Sequence, residues 1–245
     1  MLLHIFSRHE IGRAFRRPAT WAALAIAALL SAVYFMLLLI RYLEHQDQLS
    51  KSGVTVEILT RFYSASSLMI LLVVPIVTMT ALTTDRQSQL LRFYFSTPLS
   101  SRAIVFGKLA GVGAVMAPVL LLLAVLPATL WWGARIDFGV LLTCVLGLVL
   151  FTGFHLALGV FASALSSSAI TAAMLTLVVS LCLWFAETAA RIDPESQGAS
   201  SVSSLAHMRG FYQGILASHD IAYFVIGTIT FVALTLVVID CERQA

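Results

Sequence analysis

Long charge-free stretches alternate with short polar ones along this chain, and their lengths carry most of what the sequence says. From Trp21 to Ile40 the chain reads WAALAIAALLSAVYFMLLLI, without a single charge. A helix of about 20 such residues rises 1.5 Å per residue and crosses the roughly 30 Å of hydrocarbon in a bilayer. Further runs behave alike, and spans are predicted at about 20–40, 64–83, 103–127, 139–161, 169–187 and 221–239. In hydrocarbon every backbone amide must be satisfied within a helix or a closed barrel. The runs lack the alternation of a barrel strand, so the spans are helices. The expected fold is an all-α polytopic membrane protein, one six-span transmembrane domain over residues 1–245.

Three polar segments qualify this pattern. In residues 1–18, Leu2, Leu3, Ile5, Phe6, Ile11 and Phe15 alternate with His4, Arg8, His9, Arg13 and Arg16 before Pro18. Apolar anchors among arginines suit an amphipathic helix lying in the interface beside anionic lipid. In residues 188–219, Leu205, Met208, Tyr212 and Ile215 recur every three or four positions, which predicts a short amphipathic helix resting on or dipping into the outer leaflet.

The third segment is TDRQSQLLRFYFSTPLSSRAIVFGK, residues 84–108. On a helix over 86–96, within a segment 85–97, Leu90, Leu91, Phe93, Tyr94 and Phe95 gather on one side. Gln89, Arg92 and Ser96 fall on the other. Pro98 ends it, because the residue before a proline leaves the α region and the ring cannot continue the ladder. Ser100 or Ser101 then caps the next span. An amphipathic helix fixed at both ends by spans is a part shaped to be pushed.

Composition agrees: 60% of the 245 residues are hydrophobic and 11% charged, against about 25% charged in soluble domains. The formal net charge of +3 is scattered over loops instead of forming a basic stripe, which argues against nucleic acid. Cys144, Cys182 and Cys241 are far apart and imply neither a disulfide framework nor a metal cluster. Arg8, Arg13, Arg16 and Arg17 before the first run resemble a signal peptide, but that run exceeds the roughly 7 to 15 residues of a signal core, so it reads as an uncleaved anchor. With six spans and those arginines in front, the positive-inside rule puts both termini in the cytoplasm.

Candidate chemistry is sparse. The predicted spans hold no Asp or Glu away from their ends, and His155 is the one ionisable residue well inside. Such a residue is either a substrate or proton site or a helix-to-helix hydrogen bond, and without an acidic partner the second is commoner. No GxxxxGK[ST] loop is present, so the chain itself holds no ATP in a Walker-type site, and HEIGR is not HExxH. Ser200 and His207 lie in a polar outer loop, poorly placed for an intramembrane protease. Gly107 and Gly111 form a GxxxG compatible with an oligomer. Pro75 and Pro118, with Pro127, can kink spans two and three.

DRQSQLLRFYFSTPLSSRAIVFGKLAG resembles the loop between the second and third spans of type 2 ABC transporter (ABC-2) permeases, particularly the gliding-motility (Gld-like) and NosY-like types. The family pattern ER.sGTLELLLSTPLSR..IvlGK is matched at Asp85, Arg86, Leu90, Leu91, Ser96, Thr97, Pro98, Leu99, Ser100, Gly107 and Lys108. A second stretch, HMRGFYQGILASHDIAYFVIG, is similar to the family's outer loop and sixth span at Phe211, Gly214, Asp220, Tyr223 and Phe224. The family usually has GTLE where this chain has Gln89, Leu90, Leu91 and Arg92, so a common acidic contact becomes cationic.

The resemblance implies an ABC-2, type V exporter-like transmembrane domain in a bacterial inner membrane, with no catalytic residue and no metal. Two permease copies, identical or different, would pair with two cytoplasmic ATPase subunits that bind ATP and Mg. An additional subunit with an extracytoplasmic domain would be a further partner. Residues 86–96 would be the coupling helix, with Leu90, Leu91, Phe93, Tyr94 and Phe95 docking the ATPase and Arg86 and Arg92 at the rim. The alternative is an ATPase-driven scaffold through which nothing crosses the bilayer and whose output is the segment 188–219.

Overall fold

The computed structural model describes residues 10–13, 15–16, 18–44, 54–96, 100–132, 137–192 and 201–244. Residues 1–9 of the expected interfacial helix, the expected stop at Pro98, the side chains of Arg92 and Phe95, and residues 193–200 of the outer segment lie outside that description.

Every regular element among the described residues is helical: α1 (Pro18–Glu44), α2 (Val54–Thr78), α3 (Thr83–Gln87), α4 (Leu90–Ser96), α5 (Ser101–Ala128), α6 (Phe138–Leu165), α7 (Ala169–Ile192), α8 (Ser204–Tyr212) and α9 (Ser218–Gln244), with a 3-10 turn at Thr129–Trp132. Six stretches are long and apolar enough to cross a membrane: Thr20–Glu44, Ile58–Gln87, Ser101–Trp132, Phe138–Leu165, Ala169–Ala186 and Ser218–Gln244. Each predicted span lies on one of them. The helices overrun the predictions at several ends because polar terminal residues lower a hydropathy average without breaking a helix.

Local chemistry sets the starts. Ser100, extended, accepts from the Ala103 amide at 3.3 Å and caps α5; Asp137 accepts from Gly139 at 2.8 Å and caps α6. Ser203 does the same for α8 through Ala206. Each cap satisfies an amide that the first helical turn leaves without a partner.

The second span is not one helix. Pro75 lies inside α2, the ladder loosens over residues 79–82, and α3 resumes at Thr83. The amides of Leu82 and Thr83, freed by the interruption, donate to Ser163 Oγ of α6 at 3.0 and 3.3 Å. A neighbouring helix thus supplies the acceptors that the chain itself does not.

α6 is the central helix, packing on α2, α5, α7, α8 and α9. In its most apolar window 61% of the residues are buried, against 11% in that of α9. The outward face of α9 nonetheless carries Ile226, Ile229 and Val237, as expected of a helix solvated by hydrocarbon. Close approach rests on small residues. A Cβ at Gly159 would lie 2.2 Å from Thr78 Oγ1, and one at Gly147 would lie 2.6 Å from Phe211 Cγ. Glycine at these positions lets α2 and α8 press against the α6 backbone. A Cβ at Gly111 of the GxxxG would lie 3.5 Å from the Glu10 backbone, so that face too is covered from within the chain.

α8 is set into the bundle rather than merely laid beside it. Met208, Phe211 and Tyr212 are buried, while Ile215 lies beyond the helix end and is exposed. The Phe211 carbonyl accepts from the Gly214 amide at 3.2 Å and from Thr143 at 3.1 Å, and the Tyr212 carbonyl accepts from Thr60 at 3.3 Å. The Tyr212 hydroxyl meets Ser67 Oγ at 2.8 Å.

Candidate functional site

Two polar constellations stand out in this apolar molecule, one at each end of the bundle. The first is the junction where residues 10–13, α3, α4 and the ends of α5, α6 and α9 meet.

Its centre is Asp85, fully buried in α3. Arg13 and Lys108 both pair with it, each on its own carboxylate oxygen. Lys108 Nζ also lies 2.7 Å from Glu10 Oε2, and Arg13 lies 3.6 Å from Glu10 Oε1. Two acids and two bases therefore cancel in a pocket where any one of them alone would carry a large desolvation cost. Burial lowers the pKa of the Arg13 guanidinium, but the charges of Asp85 and Glu10 outweigh it and the net shift is upward. Burial, then the same two carboxylates, push the Tyr94 phenol up to about 12, with a hydrogen bond from Arg13 pulling the other way. Beside the cluster is a cavity of about 20 Å³ bounded by Glu10, Thr20, Lys108 and Val115, room for about one water.

Arg86, next in sequence, turns toward the far side of α3. Its guanidinium donates to the carbonyls of Ser166 at 2.5 Å and Ala164 at 2.6 Å, and pairs with Glu242 of α9. Gln87 donates to the Ser167 carbonyl at 3.1 Å. The orphan carbonyls at the C-terminus of α6 are thus capped by α3. Nearby, Ser101 donates to Asp240, joining the starts of α5 and the end of α9.

The predicted helix over 86–96 is two short helices. Between α3 and α4 the chain turns at Ser88 and Gln89, and Gln89 takes a left-handed backbone with φ of 61°. The reversal rotates α4 relative to α3, so the expected single face is not kept. Leu91 and Tyr94 turn into the protein at 5% and 7% exposure, Leu90 is half-buried, and Phe93 stands out at 64%. Asp85, expected in the coupling segment, and Arg86, expected at a partner's rim, are turned inward by the ion cluster and the α6 carbonyls. Glu10, Arg13, Lys108 and Glu242 were not singled out as a site by the sequence reading. The signal for them was a lysine on an apolar span beside Gly107 and Gly111: a buried cation needs an anion, and a glycine makes room for one.

His155 is fully buried in α6. Its Nδ1 lies 2.9 Å from the Phe151 carbonyl one turn back, so its hydrogen bond runs within its own helix and not between helices as expected. Its ring packs on Phe151 and Phe154, and no bond to Nε2 is found among the described residues.

The second constellation gathers the outer-segment residues. Gly214, with φ of 80°, makes the turn after α8 that brings Asp220 back against it. The side chain of Asp220 closes on Gly210, where a Cβ would lie 2.9 Å from Oδ2. Asp220 Oδ1 lies 2.6 Å from His207 Nδ1 and 3.0 Å from His219 Nε2. Tyr223 stacks on His207 with centroids 4.1 Å apart and donates to the Val202 carbonyl at 2.7 Å. Phe211 fills the α6 groove at Gly147 and anchors α8 beneath them. Of the five residues matched here from the sequence, Asp220 and Tyr223 meet at one site through His207, Phe211 and Gly214 shape its support, and Phe224 is buried against Phe151 and Phe211. No family model matches this chain, and no curated protein matches it.

Proposed function

We propose that the chain is the membrane-spanning subunit of an ABC-2 type ATP-binding cassette transporter, an exporter of the bacterial inner membrane with both termini cytoplasmic. ATP and Mg are held by two copies of a separate ATPase, and a second permease copy completes the membrane unit. The observation that carries this reading is the junction. The segment resembling an ABC-2 coupling loop is bolted by Asp85 to the N-terminal segment and α5, and by Arg86 to α6 and α9. Among its described side chains, the aromatic ring of Phe93 still faces outward. A push received at Phe93 reaches three other parts of the chain through paired charges and α6 through hydrogen bonds to its terminal carbonyls.

A second reading, the scaffold that signals to an extracytoplasmic partner, is favoured by one observation. The second span reaches from the junction to Tyr212 of α8, which Thr60 and Ser67 hold by hydrogen bonds. Movement at one end therefore has a route to the outer surface whether or not anything is transported.

The test is co-expression with a neighbouring Walker-motif ATPase. Phe93→Asp is expected to insert and elute as the wild type while retaining about tenfold less ATPase on co-purification, the loss of one aromatic anchor. A wild-type chain that retains no ATPase, or a Phe93→Asp chain that retains it undiminished, overturns the proposal. Tyr94 is a poor probe, since its buried ring also supports the fold.

A further inference from the structure

In the outer constellation two imidazoles, not one, face a single carboxylate oxygen. His207 Nε2 lies 3.1 Å from the Ser201 carbonyl. A carbonyl only accepts, so Nε2 carries the proton, and in the neutral ring Nδ1 presents a lone pair. That lone pair faces Asp220 Oδ1 at 2.6 Å, and a carboxylate is itself an acceptor. His219 Nε2 points at the same oxygen from 3.0 Å. Three donor atoms of two imidazoles and one carboxylate thus converge within 4.8 Å of one another. Their repulsion is relieved by a positive charge placed between them.

The surroundings are those of a cation site. A histidine that ligates a metal usually gives its other N–H to a carbonyl or carboxylate, which fixes the tautomer; here Ser201 does so. The stacked Tyr223 ring fixes the plane of His207, and Gly210 leaves the space into which the Asp220 carboxylate swings. Asp220 and His207 are largely buried, whereas the His219 side chain is 74% exposed, so the fourth direction opens outward. Ligand atoms around a tetrahedral ion at about 2.0–2.1 Å lie about 3.3 Å from one another. Reaching that opens the His207–Asp220 separation by about 0.7 Å and the His219–Asp220 separation by about 0.3 Å. The positive end of α9 opposes a cation weakly, and the Asp220 charge in its first turn counters it.

We infer that His207, His219 and Asp220 form a binding site for a divalent late first-row transition ion, with zinc the natural fit to an N₂O donor set completed by water. This site is independent of any ATPase contact, since it lies at the opposite end of the bundle from the junction.

The experiment uses the full chain in detergent, purified without a histidine tag and stripped with a chelator, with zinc chloride titrated by calorimetry. One zinc per chain is expected at micromolar affinity or tighter, and cobalt should give the visible absorption of a tetrahedral site. His219→Ala, an exposed change that leaves the His207–Asp220 pair in place, should weaken zinc by about tenfold or more. Asp220→Asn should weaken it at least as much. Absence of saturable binding overturns the site, and so does a His219→Ala chain whose zinc affinity falls less than about tenfold, because a proton-bridged pair of His207 and Asp220 then suffices.

Discussion

Lys108 Nζ lies 2.7 Å from Glu10 Oε2, joining the third span to the N-terminal segment across 98 positions of sequence. Both groups are almost wholly enclosed, at 3% and 6% side-chain exposure. Removing one member of a buried cluster costs far more than removing a balanced pair, because the remainder keeps an uncompensated charge. Lys108→Ala is therefore expected to lose about 3–5 kcal/mol. Lys108→Met with Glu10→Gln keeps Arg13 paired with Asp85 and should recover more than half of that. Thermal unfolding in micelles, followed by tryptophan fluorescence, checks both; equal losses would show that charge balance is not what holds the junction.

At the other end, the contact between Ser67 and Tyr212 makes an asymmetric prediction. Ser67 Oγ also donates to the Tyr63 carbonyl at 2.9 Å, so Tyr212→Phe leaves Ser67 satisfied. Ser67→Ala leaves a buried phenol without that partner, and burial, the largest influence on it, holds the phenol in its neutral form by raising its pKa. The expected cost is about 1–3 kcal/mol for Ser67→Ala and about 1 kcal/mol or less for Tyr212→Phe. The reverse order in unfolding midpoints would contradict the assignment.

Gly159 faces Thr78, itself buried and bonded to the Val74 carbonyl at 2.9 Å. Gly159→Ala brings a methyl to within 3 Å of the threonine Cβ, an overpacking worth about 1–3 kcal/mol. An alanine in that position would otherwise favour the helix. A stabilised Gly159→Ala chain would mean that α2 and α6 are not in the contact described.

Tyr94 gives a pH dependence. Its phenol titrates near 12 when folded, above the ordinary value of 10, with burial the main cause. The unfolded chain therefore ionises first as pH rises. The stability that Tyr94 contributes is complete below about pH 10 and is lost as pH climbs through about 12. The stability gap between the wild type and Tyr94→Phe should shrink across that window. A gap that stays constant in a denaturation series from neutral to alkaline pH refutes it.

How far the sequence reached is clear from particular residues. Spans were legible because their signal is additive: Trp21 to Ile40 contributes at every position. The serine cap of α5 was legible because its chemistry is local, although Ser100 and Ser101 were equal candidates until the extended backbone of Ser100 chose between them. The pairing of Glu10 with Lys108 was not legible, since each charge read singly is an ordinary flank of a membrane span. Nor was the inward turn of Tyr94, because a helical wheel assumes one continuous helix and Gln89 breaks it. Asp220 was noticed through a sequence resemblance, but its meeting with His207 depends on the Gly214 turn, whose left-handed φ the sequence permits without requiring.

The left-handed Gln89 has a mechanical consequence. A non-glycine residue in that region costs about 1–2 kcal/mol, and the surrounding contacts hold it there. On one side of it α3 is clamped by Asp85 and Arg86; on the other, α4 carries Phe93 outside. The pair is a crank with its elbow at Gln89. A load on Phe93 would reach the clamp only through that elbow, and from Arg86 would pass to the ends of α6 and α9.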